Sequence, residues 1–545
     1  MTEGLCDENV NNSNKTEEMK KPPQLSTQQK PNKTRIANAL LAKVRTRHGN
    51  IPEDGDKLIR LIEMEEHAQR KETLSHAFPV TAITWYISNI SGRRMCSFRF
   101  TKDVVGLKLR MGQDLRIWND RYDALTNRFT EAPLPENKRW LVVGKIIDIT
   151  QDSWVKLQLK SEGDSLGPWD IPEGFTIGYE WNSVPFDRMK EAIAKFARNA
   201  TCISMFVGRF LTDGAPIEID TGIDSAEKLN VPGWRELNAS QSTAIRVALS
   251  RSVSVIQGPA GSGKTLTSAT LVYHLSKRTR RDQILVCAPS NVACDHLTEK
   301  IAQANVSIVR VLALCRQDGR LSHSIEPFCL HIIVKEKAKE PGNEELLQLI
   351  DRLERNKELS RNDMRRYHQL RIAIEQRILD SADVICCTCV TAGNIKLKDR
   401  QFACAVIDEA AQCSEAMCMI PIAAGCRQVV FVGDHKQLSP TVLSQEALVM
   451  GFNVSLYERL IEQGCKPLLL NKQYRMHPAI SKFPSAQFYG GALLDGVTAA
   501  DRTIEGFEFP WPKPDKPLVF CHSATHEITG PHGRSLSNSS SSPNF

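Results

Sequence analysis

The sequence contains no apolar run of the roughly 18 residues that a membrane-spanning helix needs. Its first residues, MTEGLCDENVNNSNK, are polar and have no hydrophobic centre, so we expect no secretory signal. A large excess of one charge is also missing, because 70 basic and 63 acidic residues leave a net charge of only +7. This balance permits a nucleic-acid partner without requiring one. We therefore expect a cytoplasmic protein without membrane contact, which could also shuttle to the nucleus.

Cysteine is scarce in the first part of the chain, where only Cys6 precedes Cys96. Without a secretory signal, the 16 cysteines indicate a reducing compartment and free thiols. Cys386 and Cys389 form a C-x-x-C pattern inside an apolar stretch, with no second pair of ligands nearby. A place in the buried core is therefore favoured over a zinc site for this pair.

The first half of the chain changes pattern several times. Residues 1–50 are polar and basic, and we predict a disordered tail there. Helical spacing of apolar residues predicts a helix over 51–78. Short strand-like segments separated by Gly, Asp, Pro and Asn predict a small β-barrel of about five strands over 79–184. A second helix and a connector at 185–236 would complete a stalk that carries the barrel.

Strand-like apolar runs alternate with helical stretches from 237 to 466. This alternation predicts an α/β fold with a mostly parallel sheet that has helices on both faces. A charged helical insertion interrupts it at 322–380, where we favour a solvated pair of helices over a basic flank for nucleic acid. The low-complexity residues 531–545 are predicted to form a second disordered tail.

The octapeptide GPAGSGKT fits the G-x-x-x-x-G-K-[ST] loop that binds nucleotide phosphates. It follows the apolar run VSVIQ and precedes LTSATLVYHL, which predicts the order of strand, loop and helix that such a loop needs. The alternative, a plain glycine-rich turn, is disfavoured by these flanks. Backbone N–H groups of such a loop converge on one anion at a helix N-terminus. The predicted loop residues are Gly258, Pro259, Ala260, Gly261, Ser262, Gly263, Lys264 and Thr265.

Two carboxylates follow a later apolar strand, in ACAVIDEAAQ. The carboxyl ends of parallel strands lie at one edge of the sheet, beside the phosphate loop. We therefore predict that Asp408 and Thr265 ligate Mg²⁺ and that Glu409 orients and deprotonates the attacking water, while Lys264 reaches the outer phosphates. An acidic strand end facing solvent is the alternative, and the presence of the loop disfavours it.

Three further motifs supply polar groups that suit a nucleoside triphosphate. Gln437, in GDHKQL, has an amide that can sense the γ-phosphate as donor and acceptor. In QYRMHP, Arg475 offers a planar fork for the γ-phosphate and Tyr474 a flat face for adenine. Gln241, in ELNASQ, could read the adenine edge. Each of these residues alone would be uninformative.

Candidate nucleic-acid contacts follow two other strands. Ser290 and Asn291, in APSNVACD, lie at a predicted helix start, where short polar side chains can contact a phosphate backbone. A plain N-cap would account for Ser290 equally well. Thr388 follows the strand at 384–387 and is a similar candidate.

In this order, LNASQ, GPAGSGKT, APSNVACD, CCTC, DEAAQ, GDHKQL and QYRMHP resemble superfamily 1 helicases. Over residues 55–530 the chain is similar to the up-frameshift RNA helicases, regulators of nonsense transcripts. The resemblance implies a RecA-like lobe, ATP with Mg²⁺, 5′-to-3′ translocation on single-stranded RNA and a role in nonsense-mediated mRNA decay. It assigns catalysis to Glu409, Lys264, Gln437 and Arg475, and adenine contacts to Gln241 and Tyr474.

The chain departs from that family in three respects. Cysteines for the family's zinc domain are missing, so we expect its surface for mRNA decay factors to be absent. Ala260 and Ser262 replace the commoner Pro and Thr, and DEAAQ replaces DE-Ser-Thr-Gln. Residues 467–530 would be only the start of a second RecA-like lobe, without the later motif that carries the arginine finger.

From these departures we expect a truncated, monomeric RNA helicase that is weakly active or inactive. Two alternatives stay open. One is a non-catalytic RNA-binding fragment that acts as a dominant-negative regulator, and the other is a superfamily 1 DNA helicase.

Overall fold

The structure is a computed structural model, and it describes most of the chain between residues 51 and 520. The segments left out of this range are 100–108, 124, 127, 161–166, 199–206, 208–226, 280–281, 318–320, 357, 399, 504–508 and 514–515. The tails predicted at 1–50 and 531–545 lie outside the described residues. No helix among those described is long and apolar enough to cross a membrane.

Eight strands between residues 77 and 179, in the region predicted to be a small β-barrel, form one antiparallel sheet, here called the barrel sheet. Its order is β1-β8-β4-β6-β7-β3-β2, and β5 pairs with β4. They are β1 (Ala77–Val80), β2 (Ile83–Ile87), β3 (Arg94–Arg99), β4 (Asp114–Asp123), β5 (Arg128–Phe129), β6 (Arg139–Ile149), β7 (Trp154–Leu159) and β8 (Phe175–Tyr179). The sequence predicts only about five strands. The central strand β4 was missed because its sequence, DLRIWNDRYD, does not alternate regularly between polar and apolar residues. Two of its polar residues, Arg116 and Asn119, are buried in the structure.

Two helices flank this sheet in the sequence, α1 (Ile51–Ser75) and α2 (Val184–Arg198), and they pack against each other. Lys195 Nζ on α2 donates to the carbonyl oxygen of Ala423 at 2.7 Å. Glu65 on α1 is only 2% exposed, and its carboxylate accepts from the backbone N–H groups of Leu443 and Ser444 at 2.8–3.0 Å. These contacts attach both stalk helices to the α/β lobe.

The α/β lobe contains a seven-stranded sheet, in which every pair is parallel, with the order β11-β12-β10-β13-β14-β9-β15. Its strands are β9 (Val253–Gln257), β10 (Gln283–Ala288), β11 (Ile308–Arg310), β12 (Val384–Thr388), β13 (Phe402–Ile407), β14 (Cys426–Gly433) and β15 (Leu468–Leu469). The central strands are buried along their whole length, as the α/β prediction requires. The seventh strand, β15, has only two residues and is too short to show a period in the sequence.

Helices cover this sheet and form the insertion. They are α3 (Ala239–Ser250), α4 (Lys264–Arg278), α5 (Asn291–Ala302), α6 (Leu314–Gln317), α7 (Leu330–Ala338), α8 (Glu344–Asn356), α9 (Arg361–Ser381), α10 (Cys389–Ala392), α11 (Glu415–Ala423), α12 (Gln445–Val449) and α13 (Leu456–Glu462). Short 3₁₀ turns lie at Glu326–Phe328, Ile395–Leu397 and Ala410–Gln412. The predicted alternation of strands and helices is confirmed.

The insertion contains three helices, α7 to α9, rather than the predicted pair. The sequence of α7, LHIIVKEKA, includes an Ile-Ile-Val run. Such β-branched residues favour strands over helices, so the sequence did not predict this helix. Arg366 on α9 binds Glu345 on α8 through two hydrogen bonds of 2.7 Å. Glu358, between α8 and α9, accepts hydrogen bonds from the hydroxyls of Ser88 and Ser91, in the turn between β2 and β3 of the barrel sheet. The insertion therefore contacts the barrel as well as the lobe.

The described chain beyond β15 forms a small unit. It contains β16 (Lys472–Gln473), α14 (Pro478–Phe488), β17 (Leu494–Asp495) and a 3₁₀ turn at Ala500–Arg502. β16 and β17 pair in parallel. His477 caps α14 by accepting the N–H of Ala479 at 3.0 Å, so the QYRMH segment leads directly into this helix.

Candidate functional site

The predicted glycine-rich loop connects β9 to α4, which confirms the order of strand, loop and helix. Gly261 and Gly263 have φ angles of 77° and 84°, in the left-handed region that favours glycine. A Cβ atom at Gly258 would lie 2.1 Å from Lys264 Cγ, and one at Gly261 would lie 2.4 Å from Arg475 Cβ. Glycine is therefore required where these two cationic side chains pass close to the loop.

Lys264 and Glu409 meet at the mouth of this loop. Lys264 Nζ donates to the carbonyl oxygen of Gly258 at 2.9 Å and lies 3.6 Å from Glu409 Oε1. The other carboxylate oxygen of Glu409 accepts from Gln412 Nε2 at 2.9 Å. Glu409 has a φ of 51°, which is unusual for a residue with a side chain and is typical of functional sites. The Glu409 carboxylate is thus fixed between a cation and an amide.

Asp408 has the chemistry of a metal ligand. It is 4% exposed, and among the described residues its Oδ1 atom has no hydrogen-bond partner. Burial and the like charge of Glu409 raise the pKa of Asp408 to about 7, although Lys264 opposes this effect. A hard cation such as Mg²⁺ prefers this kind of free carboxylate oxygen. Thr265, in the first turn of α4, is the second predicted ligand.

No group of three or more His, Cys, Asp or Glu side chains in the described part of the chain could hold a metal ion. Mg²⁺ commonly takes only one or two protein ligands and completes its shell with phosphate and water. The pair Asp408 and Thr265 fits that requirement.

Gln437 lies in the turn after β14, close to Asp434. Its Nε2 atom donates to Asp434 Oδ2 at 2.6 Å. Asp434 is 2% exposed and also accepts from Gln257 Nε2 at 3.1 Å, from the backbone N–H of Lys436 at 3.2 Å and from the hydroxyl of Tyr489 at 2.6 Å. Sequence reasoning selected Gln437 but neither Asp434 nor Tyr489.

The QYR segment contacts the phosphate loop directly, because the N–H of Tyr474 donates to the carbonyl oxygen of Gly261 at 2.9 Å. The fully buried Gln473 shapes the turn by accepting the N–H of Arg475 at 2.9 Å. Arg502 donates to the carbonyl oxygens of Tyr474 and Arg475 at 2.5 and 2.9 Å. The structure thus places Arg475 next to the loop, with its side chain exposed.

Gln241 is fully buried behind the loop rather than open to it. Its Nε2 atom donates to the carbonyl oxygen of Ser262 at 3.0 Å, and its Oε1 atom accepts the N–H of Asn238 at 3.1 Å in a capping box. Asn238 also donates to the hydroxyl of Tyr474 at 3.0 Å. The guanidinium of Arg235 lies 4.2 Å from the centre of the Tyr474 ring. Adenine recognition by Gln241 and Tyr474 stays a prediction.

The three candidate nucleic-acid contacts lie at the carboxyl ends of the neighbouring strands β10 and β12. Ser290 and Thr388 act as N-caps, accepting the N–H of Ala293 at 3.2 Å and of Thr391 at 3.3 Å. Asn291 Oδ1 accepts from the buried Arg310 at 3.0 Å. Their structural roles are therefore visible, and their contact with nucleic acid stays a prediction.

Cys386 and Cys389 are fully buried with free thiols, which confirms that they belong to the core. Burial raises the pKa of the Cys386 thiol to about 12.

Comparison with known proteins decides the family. Two family models, each described as an AAA domain, match this chain, one at residues 236–363 and 351–445 and the other at 452–542. The Regulator of nonsense transcripts 1 homolog of Neurospora crassa is 38% identical over 488 residues, which is 89% of this chain and 43% of the relative. The chain belongs to the up-frameshift family of superfamily 1 helicases.

Two other up-frameshift relatives agree. The Regulator of nonsense transcripts 1 homolog of Arabidopsis thaliana is 38% identical over 484 residues, covering 88% of this chain and 36% of the relative. The ATP-dependent helicase NAM7 of Saccharomyces cerevisiae is 37% identical over 479 residues, covering 88% of this chain and 47% of the relative. The chain thus spans less than half the length of these up-frameshift proteins.

Proposed function

We propose that this chain contains the ATP site of an ATP-dependent RNA helicase that acts in nonsense-mediated mRNA decay. The observation that carries the proposal is the position of Lys264, whose ammonium lies 3.6 Å from the Glu409 carboxylate at the mouth of the glycine-rich loop. A phosphate-binding cation and a carboxylate base are the two groups that hydrolysis of a nucleoside triphosphate needs side by side.

Each side chain has a distinct task in this proposal. The loop N–H groups and Lys264 bind the phosphates, and Asp408 with Thr265 would hold Mg²⁺. When bound, this ion would neutralise charge on the β- and γ-phosphates. Glu409 accepts a proton from the attacking water, and it is oriented by Lys264 on one side and Gln412 on the other. Hydrolysis then depends on groups that are already in place.

The γ-phosphate would be sensed from two sides, by Gln437 and Arg475. The amide nitrogen of Gln437 donates a hydrogen bond to Asp434. Within the described residues, the amide oxygen of Gln437 has no hydrogen-bond donor. That oxygen is therefore the atom available to accept a hydrogen bond from the attacking water. Arg475 is held beside the loop through Gln473 and Tyr474, and its fork suits phosphate oxygens.

RNA is proposed as the polymer because relatives that share 37–38% identity are named regulators of nonsense transcripts or ATP-dependent helicases. The strand ends that carry Ser290, Asn291 and Thr388 would contact its phosphate backbone. Backbone contacts of this kind give binding that tolerates any sequence and weakens with salt. Stimulation of ATP hydrolysis by single-stranded RNA, and not by single-stranded DNA, would favour this polymer over the DNA-helicase alternative.

The ATP site is tested by Lys264→Ala in the full chain, with Lys277→Ala at the exposed end of the same helix as the matched control. Binding of a fluorescent ATP analogue in the presence of Mg²⁺ is measured by titration. We expect the Lys264 variant to lose binding and the Lys277 variant to keep the affinity of the unsubstituted chain. Equal affinity of all three proteins would overturn the assignment of the loop.

A further inference from the structure

Asp434 connects three separate parts of the chain through hydrogen bonds. Its Oδ1 atom accepts from Gln257, the last residue of β9 before the phosphate loop, at 3.1 Å. Its Oδ2 atom accepts from Gln437 at 2.6 Å and from the hydroxyl of Tyr489 at 2.6 Å. With the N–H of Lys436 on Oδ1, both oxygens have two donors, which is close to the capacity of a carboxylate. Such a carboxylate has a fixed orientation.

Gln437 depends on this carboxylate for its own orientation. Its side chain is exposed, its amide nitrogen donates to Asp434 Oδ2 at 2.6 Å, and it also hydrogen-bonds the Tyr489 hydroxyl. Because an amide donates at one end and accepts at the other, an acceptor at the nitrogen turns the oxygen away from Asp434. The position of Asp434 Oδ2 therefore decides where the oxygen of Gln437 points.

Tyr489 binds the same oxygen from a different part of the chain. It follows α14 directly and is tied back to that helix by its N–H, which donates to the carbonyl oxygen of Ser485 at 3.1 Å. Burial and the neighbouring Asp434 carboxylate raise the pKa of the Tyr489 hydroxyl, so it stays a donor at neutral pH. Gly490 and Gly491 have φ angles of 58° and 77°, and they turn the chain immediately after the tyrosine.

The helix α14 thus joins two groups of the site. The Arg475 turn leads into its first residue, Pro478, and Tyr489 follows its last residue, Phe488. Eleven helical residues, with Pro484 among them, span about 16 Å and connect these two groups. A movement of α14 relative to β14 would therefore shift Arg475. The same movement would break or form the hydrogen bond between Tyr489 and Asp434.

We infer that Tyr489 is a positioning residue for the γ-phosphate sensor. Its hydroxyl fixes Asp434, Asp434 orients the amide of Gln437, and α14 makes this orientation depend on the same movement that brings Arg475 to the loop. This inference rests on the proposed ATP site. Its consequence is that Tyr489, which belongs to the segment after β15, contributes to telling a triphosphate from a diphosphate without touching either.

The test uses Tyr489→Phe, which removes only the hydroxyl, in the full chain. Tyr273→Phe on α4 is the matched control, since it removes a hydroxyl from the same lobe outside this network. Affinities for a non-hydrolysable ATP analogue and for ADP, both with Mg²⁺, are measured by titration. We expect Tyr489→Phe to weaken binding of the ATP analogue about three- to tenfold and to leave ADP binding unchanged. Equal weakening of both nucleotides, or of neither, would overturn the inference.

A double-mutant cycle separates positioning from a merely structural effect. If Tyr489 acts through Gln437, then Tyr489→Phe should weaken triphosphate binding no further once Gln437→Ala is present. Additive losses would overturn the inference. If Tyr489→Phe does not fold, Tyr489→Met replaces it, because methionine also lacks a hydroxyl donor and the same selective loss is expected.

Failure of the proposed function would look different. In that case the unsubstituted chain would bind neither nucleotide, or Lys264→Ala would bind both as well as the unsubstituted chain. Nucleotide binding that requires Lys264 while Tyr489→Phe leaves the ratio of ATP-analogue to ADP affinity unchanged would overturn the positioning role alone.

Discussion

Replacing Asp408 by Asn should stabilise this protein at neutral and alkaline pH, although it removes a proposed metal ligand. The pKa of Asp408 is raised from its ordinary value of 3.8 to about 7, chiefly by burial. Between these two values the folded protein keeps a proton that the unfolded chain releases, so the free energy of unfolding falls as the pH rises from about 4 to about 7. Above pH 7 both states are ionised, and the loss is complete.

The size of the effect follows from the same two values. A difference of about 3 pH units, at about 1.36 kcal/mol for each, gives about 4 kcal/mol of destabilisation at pH 8. At pH 5 the corresponding figure is below about 2 kcal/mol. Asn is uncharged and nearly isosteric, so Asp408→Asn should recover most of this free energy, and its benefit should be about 3 kcal/mol greater at pH 8 than at pH 5.

Urea unfolding at pH 5 and pH 8, without nucleotide or Mg²⁺, measures this difference. Asp434→Asn is the contrasting control, because that buried carboxylate accepts from four donors and its replacement should destabilise the fold at both pH values. A benefit of Asp408→Asn that does not grow with pH, or a loss of stability at pH 8, would refute the reasoning that Asp408 is buried as an unsatisfied charge.

Three further substitutions have defined outcomes. Glu409→Gln should keep the affinity for an ATP analogue but lower ATP turnover about 10²–10⁴-fold, as measured by phosphate release. Gly261→Ala should weaken triphosphate binding in a titration, because its Cβ would lie 2.4 Å from Arg475 Cβ and its φ is 77°. Arg310→Met should lower the free energy of unfolding in urea by about 3 kcal/mol, because the fully buried Arg310 binds Asp295 at 2.9 Å.

The parts of the site that the sequence could predict are those in which chemistry and local structure coincide. The phosphate loop is one short segment whose glycines, lysine and flanking apolar runs are all adjacent in sequence. The pair Asp408 and Glu409 ends a strand whose apolar run is unmistakable. The α/β fold follows for the same reason, because the strands of a parallel sheet are apolar throughout.

Other features could not be predicted because they depend on contacts between distant segments. Tyr489 and Asp434 are 55 positions apart, and no local pattern marks a hydrogen bond between them. The amide of Gln241 binds the carbonyl oxygen of Ser262, 21 positions away, and its contact with adenine stays a prediction. In β4 of the barrel sheet, Arg116 is buried because it donates to the carbonyl oxygen of Leu74 at 2.6 Å, a partner outside the strand.

The buried Glu65 fixes the long helix α1 to the α/β lobe at one point. Its carboxylate accepts hydrogen bonds from the backbone N–H groups of Leu443 and Ser444, in the segment that follows the Gln437 turn. Ten residues, or about 15 Å, separate Glu65 from the barrel end of α1 at Ser75. A tilt of about 10° at Glu65 would move that end by about 3 Å. A rearrangement of the Leu443 segment that tilted α1 in this way would displace its far end by about the rise of two helical residues.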